Sequence, residues 1–491
     1  MIDISTNVNI GRALALALAL ACGSALLSAS SAVAQPAATP PAVAWEPFTF
    51  DVRGVGNIPA QVGRIRVPER RSNPDSRTIE IGFVRLASKT PRQAPLVYLD
   101  GGPGGDGYGI ARVAAYYRLF DRARADRDVI LLSQRSVGLS RPRLACPGPN
   151  RLPDDFFTSD ETMQRAFEAP LRACAEQLRR DGADLAAYNT REMADDVEDL
   201  RRAPGVPRVS LLGFSYGTHL GLEILRRHPG SIDRAVFIGT EGPSHTLKLP
   251  RVWDEQFNRL AAAARGVVPD LGAAWRSLLA SATNAPLDLT VEIGGTPRTI
   301  KLGPAAIRWI IRRDLGDTND WPWMPITIAG AARGNLEGFR RAVPRRWAQL
   351  DAGIGLMAFA VDCASGVPAD RLERIREQEA GSILGSMTNF PYPAICQFLG
   401  VPALPDDFRA PVVSDVPTLF ISGTNDANTP PAQAEEVRRT FARSTHLVVE
   451  HAGHESSMPH PPVQDAILRF LDGGTVEGLA LSVPLQPFIG R

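Results

Sequence analysis

Two kinds of hydrophobic patterning run along the chain. Near 61–68 and 77–86 apolar and polar residues alternate with period two, which predicts an antiparallel pair at a sheet edge. Short wholly apolar runs follow at 96–99, 129–132, 209–212 and 235–238, each closing in a loop rich in Gly, Ser or Asp. Such runs suit strands buried on both faces. Helical patterns lie between them, including 193–201 and 219–227. Strands alternating with helices predict a mostly parallel sheet flanked by helices. The order returns late, with strands at 418–421 and 446–449 and helices near 432–441 and 463–471.

Between 244 and 410 the pattern becomes mainly helical, with candidates at 253–264, 271–282, 305–313 and 336–350. One hairpin is expected there, 287–293 and 297–302 across Gly294-Gly295. An insertion between strands of a parallel sheet reads as a cap over the carboxyl ends of the strands, where ligands bind. The expected division is a signal peptide at 1–34, a first core part at 35–243, a cap at 244–410 and a second core part at 411–491. The Pro/Ala-rich stretch 35–44 reads as a flexible leader, and 476–491 as a packed tail at most.

Composition narrows the function classes. At 491 residues the chain exceeds one ordinary core. Lys plus Arg total 54 against 53 Asp plus Glu, so charge balance makes no case for nucleic acid or an anionic membrane surface. Neither HExxH nor paired CxxC occurs, and no metal or other cofactor is implied. At the N-terminus Arg12, the Ala/Leu run 13–21 and Ala32-Val33-Ala34 describe a secretory signal peptide cleaved after Ala34. The rival is lipid anchoring at Cys22, in Ala19-Leu20-Ala21-Cys22. No second apolar stretch reaches membrane length, so the mature chain is expected to be soluble or lipid-tethered. Cleavage leaves Cys146, Cys174, Cys363 and Cys396, an even count that suggests disulfides in an exported protein. Local pairing, Cys146 with Cys174 and Cys363 with Cys396, closes the shortest loops; four buried thiols are the alternative.

The candidate chemistry centres on Gly213-Phe214-Ser215-Tyr216-Gly217, between a strand and a helix. G-x-S-x-G in that setting is a nucleophile elbow, whose helix N-terminus favours developing negative charge. A serine hydroxyl needs a base to become a nucleophile. His454, on a Gly-containing loop after the strand at 446–449, is the candidate, with His451 its competitor; His219 reads as a packing residue. The histidine needs a carboxylate to fix its tautomer. Asp426, after the strand at 418–421, is the candidate, and Glu241 the rival. An oxyanion hole would use the backbone N–H of Tyr216 and one from the loop Gly101-Gly102-Pro103-Gly104-Gly105, Gly102 being preferred to Gly101. Such donors are worth about 3–4 kcal/mol each. No lysine follows the loop at Walker spacing, which argues against phosphate.

Five motifs in order carry a family resemblance: the GGPGG loop at 101–105, the loop Ser133-Gln134-Arg135-Ser136-Val137-Gly138-Leu139-Ser140, 213–217, 423–430 and 452–455. With the order Ser215, Asp426, His454, the chain resembles the α/β-hydrolases. Within them it is similar to proline iminopeptidases and, more closely, to secreted tripeptidyl-aminopeptidase-like enzymes. The resemblance implies an α/β-hydrolase fold, a triad at those three positions and release of N-terminal amino acids or short peptides. It departs at Asp100, where the iminopeptidases often carry histidine, and at Ser133 and Ser136 in place of Asp and Gly. An exopeptidase needs acidic groups for the substrate's α-ammonium, and Glu241 is the candidate. An esterase with the same triad is the alternative, and a non-catalytic exported binding protein the third reading. The expected partner is a small peptide or ester; oligomeric state is left open.

Overall fold

The computed structural model describes residues 42–145, 152–316, 318–351 and 355–490. The expected signal peptide, the alternative anchor at Cys22, and Cys146 with its expected link to Cys174 lie outside them.

Ten strands form one sheet. They are β1 (Ala44–Val52), β2 (Gly56–Pro68), β3 (Thr78–Leu86), β4 (Leu96–Leu99), β5 (Val129–Leu132), β6 (Val209–Phe214), β7 (Ile232–Ile238), β10 (Thr418–Gly423), β11 (Ser444–Glu450) and β12 (Leu481–Ser482). A separate hairpin pairs β8 (Leu287–Ile293) with β9 (Thr296–Leu302). The sheet order is β1-β2-β3-β5-β4-β6-β7-β10-β11-β12. The pairs from β1 through β2 and β3 to β5 are antiparallel, and the rest are parallel.

The central strands are apolar throughout because each feeds two cores. In β4, Val97 and Leu99 join one buried cluster and Leu96 and Tyr98 the other. In β5, Ile130 and Leu132 lie on the first side and Val129 and Leu131 on the second. Successive side chains of a strand point to opposite faces, so helices on both faces demand an unbroken apolar run.

Two strands lie outside the sequence reading. The stretch after the Pro/Ala leader forms β1, which pairs along its whole length with β2. Mostly exposed, with Pro47 in its middle, it has the composition of an edge strand. In the tail, β12 adds a short parallel edge beside β11.

Between β7 and β10 lie the β8–β9 hairpin and a set of helices. Those at Pro250–Ala263, Leu271–Asn284, Pro304–Leu315 and Glu337–Asp351 match the predicted periodicities to within a few residues. Leu356–Ser365, Ala369–Glu379 and Ala394–Leu399 were not legible from the pattern. A disulfide, Cys363–Cys396, ties the first of these to the third, with Cα atoms 5.3 Å apart. Among the described residues no helix is long and apolar enough to cross a membrane.

Candidate active site

At the carboxyl end of β6 the chain turns abruptly into the helix Tyr216–Arg227. Ser215 stands at the turn with φ 53° and ψ −122°. A non-Gly residue in such a conformation costs about 1–3 kcal/mol and persists only where its surroundings enforce it. The Ser215 N–H donates to the Ile238 carbonyl at 2.9 Å, anchoring the turn to β7. The flanking glycines are obligatory. A Cβ on Gly217 would lie 1.9 Å from the Leu99 carbonyl oxygen, and one on Gly213 2.7 Å from the Gly217 oxygen.

The loops after β10 and β11 bring two more groups to this turn. His454 Nε2 lies 3.0 Å from Ser215 Oγ, and His454 Nδ1 lies 2.8 Å from Asp426 Oδ2. For the serine hydroxyl to donate to Nε2, the ring proton must sit on Nδ1 and be given to Asp426. Asp426 is buried, and its carboxylate is well provided with donors. Oδ1 accepts from the N–H groups of Asn428 and Thr429, both at 2.9 Å, and Oδ2 accepts from Thr429 Oγ1 at 2.6 Å. Burial opposes ionisation of Asp426, but the adjacent His454 and the donors of Thr429 outweigh it and hold its pKa below the ordinary carboxylate value. Burial likewise disfavours the imidazolium. The charge and hydrogen bond of Asp426 prevail, so His454 titrates above the ordinary 6.5.

The glycine loop after β4 packs against the serine. A Cβ on Gly101 would come within 3.0 Å of Ser215 Cβ. The Gly101 N–H is taken by Asp100 Oδ1 at 2.9 Å. The N–H groups of Gly102 and Tyr216 have no hydrogen-bond acceptor among the described residues. Gln134 braces this loop twice: its Oε1 accepts from the Gly104 N–H and its Nε2 donates to the Asp100 carbonyl, both at 2.9 Å. Arg135, fully buried, ties the same segment to Asp196 through Nε at 2.5 Å and Nη2 at 2.9 Å. Burial of Asp100 pushes its carboxyl up to about 6.

The serine and histidine open on a cavity of about 780 Å³ whose further wall comes from the segment between β7 and β10. Four carboxyl groups line it, those of Glu241, Asp320, Asp362 and Glu455. Glu241 is buried and its carboxylate is engaged by Lys248 Nζ. Asp362 accepts from the Tyr392 hydroxyl at 2.6 Å. Burial, reinforced by the nearby charge of Glu241 against that hydrogen bond, pushes Asp362 up to about 7.

A family model for the alpha/beta hydrolase fold matches residues 94–461. The chain belongs to that family. Among curated proteins this hydrolase is similar to a tripeptidyl aminopeptidase of Streptomyces coelicolor, 29% identical over 225 residues, which are 44% of this chain and 41% of that one. It is similar to the serine protease Hip1 of Mycobacterium tuberculosis, 24% identical over 216 residues, 41% of each chain. A probable proline iminopeptidase of Streptomyces coelicolor is 28% identical over 199 residues, 39% of this chain and 49% of that one. The hydrolase thus matches less than half the length of each of these relatives.

Of the residues singled out from the sequence, Ser215, His454 and Asp426 form one hydrogen-bonded line, with Gly102 and Tyr216 beside the serine. His451, at φ 60°, has a side chain 44% exposed and 3.5 Å from Glu450. His219 is buried, with Nδ1 3.1 Å from the Gly242 carbonyl and Nε2 3.3 Å from Ser365 Oγ. Glu241 reaches the cavity already paired. Sequence reasoning missed Thr429, Gln134 and Asp362. The first two lie inside the quoted motifs, where a polar side chain three residues after Asp426, or beside the glycine loop, was the available signal. Asp362 sits in an apolar helix, where a lone acid was the only cue.

Proposed function

We propose that this hydrolase is a serine exopeptidase that releases N-terminal amino acids or short peptides. In this reading Ser215 Oγ attacks the scissile carbonyl while His454 Nε2 takes its proton. Asp426 holds the ring and stabilises the imidazolium, and the N–H groups of Tyr216 and Gly102 receive the oxyanion. His454 then protonates the leaving amine, and water, deprotonated by the same ring, frees the acyl product. The observation that carries this reading is the Ser215–His454–Asp426 line at 3.0 and 2.8 Å facing a cavity lined by carboxyl groups.

The peptidase half rests on Asp362 and Glu241. Lys248 offsets Glu241, so the pair offers at most one uncompensated negative charge, and an α-ammonium is the group that would use it. The segment 244–410 acts as the cap that closes the cavity. Cleavage of a signal peptide after Ala34 and export to an oxidising compartment accord with the Cys363–Cys396 disulfide.

The test is hydrolysis of peptidyl and aminoacyl anilides, with free and blocked amines, beside aryl esters, using wild type and Ser215→Ala. Turnover of free-amine anilides that vanishes in the variant upholds the proposal. Turnover of esters alone replaces the peptidase by an esterase. Equal rates for wild type and variant on every substrate remove Ser215 from the chemistry.

A further inference from the structure

Four arginines line the cavity: Arg312, Arg313, Arg345 and Arg346. Two of them are accounted for. Arg345 pairs with Asp314 at 2.8 Å and Asp320 at 3.0 Å, and Arg346 shares Asp314. Arg312 and Arg313 make no ion pair with any carboxylate among the described residues. The Arg312 guanidinium lies over the Trp253 ring, 4.7 Å from its centroid, and its Nε donates to the Thr388 carbonyl at 2.5 Å. These contacts fix the plane of the group and leave its charge uncompensated. Arg313 feels an attraction from Asp314 and from Glu455, the neighbour of His454, but reaches neither at ion-pair distance. Burial and the adjacent Arg313 pull Arg312 down to about 9, the behaviour of a cation held without its anion.

Arg312 is half-buried and Arg313 exposed, so neither is forced to find a partner inside the fold. Asp314 and Asp320 are already shared by Arg345 and Arg346, and Arg312 and Arg313 line the same cavity as Ser215 with their charge free for a ligand. We propose that Arg312 and Arg313 bind a carboxylate of the substrate, so that the enzyme favours short peptides carrying a free negative charge over neutral ones. The planar fork of a guanidinium fits a carboxylate in two parallel hydrogen bonds. The carboxylate can be the C-terminal group of a short peptide or an acidic side chain; the chemistry at the arginines is the same. The inference takes its substrate from the peptidase reading, and its readout separates the two.

The experiment measures kcat/KM for three peptides with the same scissile bond: a C-terminal free acid, its C-terminal amide, and that amide with a Glu side chain near the C-terminus. Each is run with wild type, Arg312→Gln, Arg313→Gln and the double variant. The readout is the acid-to-amide ratio within each protein, so a general loss of activity does not mimic the effect. Wild type is expected to favour the free acid by about 10- to 100-fold, the range for a hydrogen bond to a charged group, chiefly through KM. The double variant is expected to fall to near parity. A Glu amide that regains the preference assigns the site to side chains; one that does not assigns it to the C-terminus.

A wild type that favours neither the free acid nor the Glu amide over the plain amide overturns the proposal, and so does a preference that survives in the double variant. If Arg312→Gln does not fold, Arg313→Gln and the fall of the wild-type ratio with added salt decide in its place. If no peptide is cleaved, the peptidase reading fails. The matched pair of an aryl ester bearing a carboxylate and its neutral amide then decides the arginine site alone.

Discussion

In the proposed mechanism Ser215, His454 and Asp426 do the chemistry, and each depends on a neighbour that does none. The serine keeps its left-handed backbone because Ile238 holds its N–H. The histidine keeps its tautomer because Asp426 accepts from Nδ1, and Asp426 stays ionised because Thr429 supplies two donors. Replacing Ser215 by Ala should lower kcat by about 10⁶-fold, toward the level that binding and oxyanion stabilisation sustain alone. Asp426→Asn, which preserves shape and removes the charge, should cost about 10⁴-fold.

The pH profile has a definite sign. In the proposed mechanism His454 must be neutral to accept the serine proton, and its pKa lies above the usual imidazole value. Activity should therefore rise with pH on an acid limb whose midpoint exceeds 6.5. In Asp426→Asn that limb should move to lower pH, because the main force holding the proton on the ring is gone. A wild-type midpoint below 6 in kcat/KM against pH would contradict this.

Most elements of the core were legible because each strand buries both faces and each helix one. Those that escaped did so for physical reasons. β1 is exposed along most of its length and carries Pro47, so it lacks the apolar alternation of an inner strand. The helix Asp160–Arg180 opens on a Ser159 capping box and runs on through Pro170, a residue that reads as a helix breaker in sequence. Leu356–Ser365 is apolar on nearly every side, and periodicity cannot tell such a run from a strand.

The same limit applies to the site. Each triad member follows its own strand, so a local pattern announces it. Asp362 and Arg312 reach the cavity only through the packing of helices, which no short window of sequence encodes. Two predictions belong to this scale. Gly217→Ala forces a methyl group into the Leu99 carbonyl and should destabilise the fold by about 3 kcal/mol or more, read by thermal or denaturant unfolding. Gln134→Leu should leave the fold standing but loosen the glycine loop, lowering kcat about tenfold with little change in KM.

In the whole molecule, the disulfide joins helices whose cysteines stand 33 residues apart. Closing a loop of that length is worth about 3–4 kcal/mol in chain entropy. Cys363→Ser with Cys396→Ser should lower the melting temperature accordingly. Because Asp362 adjoins Cys363 and Tyr392 stands four residues before Cys396, the double variant should also raise KM for free-amine substrates more than for esters.

Ser215 and His454 are 239 residues apart in the chain. The whole segment between β7 and β10, together with β10 and β11, must be made and folded before they meet. Loop closure over such a span is slow, and the contact is expected late in assembly. On that expectation a nascent or partly refolded chain holds the proposed nucleophile without its proposed base. Hydrolytic activity should appear no earlier than the slowest phase seen by fluorescence during refolding. A chain of this design is expected to stay inactive while it is being synthesised, and a cut in the long insertion that lets β11 drift away should inactivate it again.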